Sequence, residues 1–277
     1  MTQSSPDSRS PEGEHTEPPA LQEIVSSATT FEIRVPNSSA ITGGVASLSP
    51  DWRLRIFELA LVCSIAFGGS ILSSAAIWFG EHADHSGVGT LRWLNMGLVE
   101  TAALALVWYV LRQRAISFRD LGFSWTKKDL IWSIPVWVLG MMAFSTVYYA
   151  IYAAGFVSAT GSEETARVAS ILFGHKVSLL VIPCLFLNPF FEELIARAYI
   201  MTTVRQLTNS MPLAVIFSTV LQMSYHFYQG APLATAEGAL FLVFSIYYAK
   251  TNRIAPVILA HLYLDILPTL RIWLAQG

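Results

Sequence analysis

The chain has 277 residues, 53% of them hydrophobic and only 13% charged, with a formal net charge of -2 at pH 7. A soluble domain carries about 25% charged residues, so this composition excludes an ordinary soluble protein and indicates an integral membrane protein. The balance of charge offers no broad basic surface to nucleic acid, which is therefore excluded as a partner.

Residues 1–50 are rich in Ser, Thr, Pro and Glu and hold no apolar stretch. They read as a disordered polar tail without a cleavable signal peptide. A first membrane helix is predicted at about 54–79, with Arg53 and Arg55 at its start and Glu58 one turn in, able to pair with Arg55. Small residues at 68–70 and 73–76 would let another helix approach closely. Cys63 here, and Cys184 later, stand in apolar runs and read as core or lipid-facing residues, not as a disulfide or a zinc site. The loop after this helix carries Glu81, His82, Asp84 and His85 and is expected to be solvated.

The second helix spans about 91–111 and places Glu100 near mid-membrane, with no partner named by the sequence. Arg112, Arg114, Arg119, Lys127 and Lys128 follow, the strongest basic cluster, which marks that loop as cytoplasmic. Within it, residues 118–123 read as a short amphipathic segment closed by Gly122. The third helix, about 130–156, contains Pro135 and Gly140 as bends and Trp132, Trp137, Tyr148, Tyr149 and Tyr152 as interface anchors. Residues 157–176, with Glu163 and Glu164, form an outer loop. Residues 51–175 thus make an N-terminal set of transmembrane helices.

The fourth helix is predicted from 177 to about 206. Pro189 stands just before Glu192 and Glu193, and a proline there should loosen the helix and admit water beside the acids. The fifth helix, about 212–230, carries Gln222 and His226. The sixth, about 233–249, carries Glu237 near its outer end, within reach of water. The seventh, about 254–275, carries His261 and Asp265. The fold class is all-α, a polytopic transmembrane helix bundle of about seven spans, with the N-terminus inside and the C-terminus outside.

Charges inside a membrane are expensive and tend to be paired and functional. Glu193 and Arg197 are four residues apart and share a helix face. Glu192 is rotated by about a third of a turn and points elsewhere. One acid can be held by arginine while the other acts as a base. His261 and Asp265 repeat the spacing of four. His226 lies about fourteen residues, roughly 21 Å, from the cytoplasmic end of its helix, against about seven residues, roughly 10 Å, for His261. Tilt or a mid-membrane site is needed to bring them together.

Glu192-Glu193-x-x-x-Arg197, then His226 followed by Phe-Tyr-Gln-Gly, then His261-x-x-x-Asp265 resembles the CPBP family, the CAAX-protease and bacteriocin-processing (Abi) intramembrane endopeptidases. The resemblance covers about 176–270, within a proposed catalytic core at 176–277, and the 118–123 segment is similar to the loop that precedes that core. It implies that Glu192 activates the attacking water and that His226 binds and orients it. Glu193 and Arg197 would support the site. His261 and Asp265 would polarise the substrate carbonyl or stabilise the oxyanion.

Two departures stand out. Gln222 replaces the family's usual Phe four residues before the first histidine and is a candidate substrate-binding residue. Ala196-Arg197-Ala198 replaces Phe-Arg-Gly. The two-histidine helix motif of zinc proteases is absent, so the expected site has no metal. Zinc on Glu192, His226 and His261 is the alternative.

The sequence reading is therefore an intramembrane hydrolase in a bacterial inner membrane. Membrane lipid and a peptide or protein substrate are its partners, with bacteriocin precursors, signalling peptides or membrane-anchored regulators expected. A binding protein, scaffold or transporter with a polar cavity is the competing reading. No internal repeat of the transporter kind is present.

Overall fold

The computed structural model describes residues 51–79, 89–157 and 181–276. The polar tail, the loop with Glu81, His82, Asp84 and His85, and Glu163–Glu164 lie outside the described residues. Every described element is helical: α1 (Trp52–Trp78), α2 (Gly89–Gln113), α3 (Lys127–Ala153), α4 (Val181–Glu193), a π-helix (Leu194–Met201), α5 (Thr202–Thr208), α6 (Met211–Tyr225), a 3-10 turn (Phe227–Gln229), α7 (Ala231–Thr251) and α8 (Ala255–Gln276). α4, the π-helix and α5 run on without a break, so the described residues form seven rods, the number expected.

Among the described residues, four helices are long and apolar enough to cross a membrane: 52–76, 93–113, 127–153 and 231–251. Their outward faces carry Leu72, Leu98, Ile131 and Met142, all largely exposed. Apolar surface on that scale marks contact with lipid. Helix ends follow the local chemistry. The Asp129 carboxylate accepts from the Thr126 backbone N–H at 2.6 Å and its hydroxyl at 2.8 Å, which starts α3. Ser210 caps α6 through the Leu213 N–H. Asn209 and Asn252, both left-handed, stop α5 and α7.

α7 packs between α3 and α6, and α8 packs on α3 and α4. Gly140 of α3 lets α7 come close, since a Cβ there would stand 3.1 Å from Phe244 and 3.2 Å from Leu240. The π-helix is the innermost element, with all eight residues buried. Its loosened backbone finds outside partners, as a buried helix in an apolar medium requires: Ser218 Oγ donates to the Ala196 carbonyl at 2.8 Å.

Pro189 does not break its helix. α4 continues through it, and the widening comes after the two glutamates. One end of the bundle is tied by polar contacts. Arg114 binds Asp51 and Glu58 at 2.7 and 2.5 Å, so Glu58 pairs with Arg114 and not with Arg55, which instead donates to Gln206 at 2.6 Å. Arg253 binds Asp129 at 2.7 Å. The basic loops after α2, α5 and α7 therefore share this end, as the charge pattern requires. Gly122, with φ +82°, sits against the Asn252 carbonyl, where any Cβ would collide. Its own carbonyl accepts from the Ile254 N–H at 3.3 Å. Both cysteines are free thiols.

Candidate active site

Glu192 and Glu193 end α4 side by side, and helical geometry sends them in different directions. Glu193 is fully buried and faces α8 and the π-helix. Arg197 Nη1 lies 3.0 Å from both its oxygens and donates to Oε1. His261 Nδ1 stands 2.6 Å from the same Oε1. The Arg197 guanidinium, also fully buried, lies 5.0 Å from the Phe241 ring centre and 5.8 Å from that of Phe244. A buried cation over aromatic faces, with a carboxylate on its edge, is compensated on both sides.

Glu192 faces α6. Its Oε2 accepts from Tyr225 Oη at 2.5 Å and from Gln222 Nε2 at 3.1 Å. The second hydrogen of that Gln222 amide goes to Tyr225 Oη, also at 3.1 Å. One phenol and one amide therefore lock a single carboxylate oxygen.

Asn188, one turn before Glu192, has carboxyl oxygens at both ends of its amide. With the nitrogen toward the glutamates it donates to Glu192 Oε1 at 3.3 Å and to Glu100 Oε1 at 2.9 Å. Turned over, it donates only to Asp265 Oδ2 at 3.4 Å and sets its oxygen against two carboxyl oxygens. The first arrangement makes two bonds and removes that repulsion, and we adopt it.

α6 ends at Tyr225, so His226 sits in the turn beyond the helix. Its Nδ1 is 2.8 Å from the Gln222 carbonyl oxygen. A carbonyl only accepts, so Nδ1 carries the hydrogen and neutral His226 presents a lone pair at Nε2. Glu237 Oε2 stands 3.9 Å from that Nε2. Glu237 is thus a neighbour of the site and only partly exposed, not a residue of an open outer end. The Phe241 ring centre lies 5.1 Å from that of His226 and 6.2 Å from that of His261. The break after Tyr225 is what reconciles the two depths.

The expected residues therefore form two adjoining groups. Glu193, Arg197, His261 and, 3.8 Å from His261 Nε2, Asp265 make one. Glu192, Gln222 and Tyr225 make the other, with His226 next to them through Gln222 and through its ring contact with Tyr225 at 4.5 Å. Among the described residues no hydrogen bond or ion pair joins Glu192 directly to either histidine. Glu193 takes His261 Nδ1 and leaves its Nε2 as the nitrogen open to another partner. Among the described residues no three acids, histidines or cysteines group around a common point. Tyr225 and Asn188 were not singled out by the sequence, although Asn188 lies four residues before Glu192 and Tyr225 three after Gln222, spacings that share a face.

Residues 174–267 match the family described as type II CAAX prenyl endopeptidase Rce1-like. The matched segment is similar to the CAAX-protease family and spans less than half of the chain. It contains every site residue named so far except Glu100, which the CAAX-protease segment does not reach. No curated protein and no solved structure matches the chain. With four helices apt to cross a membrane among the described residues, this likeness supports a membrane protein and, in the general sense, an intramembrane protease.

Proposed function

We propose that the chain is an intramembrane endopeptidase in which Glu192 is the general base for a hydrolytic water. The observation that carries the reading is the state of the Glu192 carboxylate. It is buried, its Oε2 is fixed by two donors, and its Oε1 takes one bond from Asn188. A carboxylate oxygen has two acceptor sites, so Oε1 keeps one for water. His226 Nε2 accepts the water's other hydrogen and aims its oxygen.

The water oxygen bonds to the scissile carbonyl carbon as Glu192 takes a proton. The C–N bond then breaks, and that proton leaves with the amine. The products are a carboxylic acid and an amine. Glu193, Arg197, His261 and Asp265 hold the helices that carry this pair, and in this reading His261 Nε2, which Glu193 leaves open, polarises the substrate carbonyl. The substrate is a peptide or protein presented at a membrane. The compartment is a bacterial inner membrane, with the basic end of the bundle cytoplasmic.

The test is cleavage in proteoliposomes of two internally quenched peptides ending in a CAAX sequence, one farnesylated and one not. Products are assigned by mass. Glu192→Gln should lower the rate by about 100-fold or more. A Glu192→Gln protein as fast as the parent overturns the mechanism.

A further inference from the structure

Glu100 lies midway along α2, buried, outside the segment that resembles known proteases, and the chemistry above does not use it. Its Oε2 has no hydrogen-bond partner among the described residues. Its Oε1 is 2.9 Å from the amide nitrogen of Asn188. A buried carboxyl kept in such a place calls for a reason.

The Asn188 amide has two settings, and they are not equivalent for Glu192. Facing the glutamates, it donates to Glu192 Oε1. Facing Asp265, it withdraws that donor and presents a carbonyl oxygen to the base. Glu192 alone, at 3.3 Å, opposes Asp265 at 3.4 Å, which is close to an even contest. The shorter bond to Glu100 tips it. We propose that Glu100 is a positioning residue: it holds the Asn188 amide turned toward Glu192 and so keeps the catalytic carboxylate in place. The proposal rests on the reading of Glu192 as the base.

Two measurements test it. In the first, kcat and KM on the peptides above are compared for Glu100→Ala, Glu100→Gln, Asn188→Ala and the double variant Glu100→Ala/Asn188→Ala. Loss of a hydrogen bond at a charged group should lower kcat by about 10- to 100-fold, with KM within about twofold, since the loss falls on the transition state. Glu100→Gln, which can still accept from Asn188, should keep more activity than Glu100→Ala. The double variant should be no slower than the slower single, because coupled sites are not additive. Additive losses, or a change in KM alone, overturn the proposal. If Glu100→Ala does not fold, Glu100→Gln against Asn188→Ala decides in the same way.

The second measurement needs no activity. In asparagine-labelled protein in lipid, the side-chain amide resonance of Asn188, assigned through Asn188→Asp, should move in Glu100→Gln and also in Glu192→Gln. A resonance that moves only in Glu192→Gln overturns the role of Glu100. A Glu192→Gln protein that cleaves normally while both variants move the resonance overturns the catalytic reading and leaves the geometry standing.

Discussion

His261 holds Glu193 and not Glu192: its Nδ1 stands 2.6 Å from Glu193 Oε1, the oxygen that also takes Arg197. The second histidine of the motif therefore belongs to the clasp, and Glu192 is held from α6. This division makes different outcomes follow from neighbouring substitutions.

Arg197→Met should act on stability first. It leaves Glu193 buried with only His261 beside it, and breaking a buried ion pair costs about 3–5 kcal/mol. Thermal unfolding in detergent should show the loss. Glu193→Gln in the same chain should recover part of it, because the orphaned charge is then gone.

Tyr225→Phe should act on catalysis first. The ring remains stacked on Phe67 at 4.9 Å, while the hydroxyl that fixes Glu192 Oε2 is removed. A hydrogen bond to a charged group contributes about 1.5–3 kcal/mol, or about 10- to 100-fold in rate. The parent's unfolding temperature with a slower kcat is the expected result. Equal loss of both would place Tyr225 in the scaffold alone.

Gly122→Ala should loosen the join between the α2–α3 connection and the α7–α8 turn. Its φ of +82° and the carbonyl of Asn252 both reject a side chain, and strain of this kind costs about 1–3 kcal/mol. Limited proteolysis should cut the 114–126 stretch faster than in the parent, with cleavage activity falling only as folded protein is lost.

Asp51 supplies a pH dependence outside the membrane. The hydrogen bond from Arg114 holds its carboxyl below the ordinary carboxylate value. A depressed value in the fold means the contact stabilises fully above the ordinary value and is lost as pH falls through the lowered one. Asp51→Asn should therefore melt earlier than the parent at pH 7, and the gap should begin to close below about pH 4 and vanish only below the lowered value. A gap that persists in acid would assign the effect to packing.

The rods were legible in the sequence because twenty-odd apolar residues in a row admit few other structures, and the Glu193–Arg197 pair because a spacing of four fixes a shared face. What Glu192 touches was not legible. Gln222 and Tyr225 reach it from another helix, and only the packing of α6 on the π-helix puts them there. The same holds for Glu100, which meets Asn188 across 88 positions of chain. Pro189 gave a correct warning at the wrong place: the irregularity in the fourth rod begins at Leu194.

That irregularity has a consequence for how the rod can change. The stretch Leu194–Met201 is wound with wider turns than the helices on either side, so it holds slack that an α-helix of the same length would not. Removing one residue there would let the coil tighten to the winding of an ordinary helix, so the loss is taken up locally and Thr202–Thr208 keeps nearly its present facing. Gln206 would stay with Arg55, and Thr202 with Tyr248, to which it now stands at 3.5 Å. A single deletion between the clasp and the far end of the rod is thus one the bundle can absorb, whereas the same deletion in the helices on either side would turn everything beyond it by about 100°.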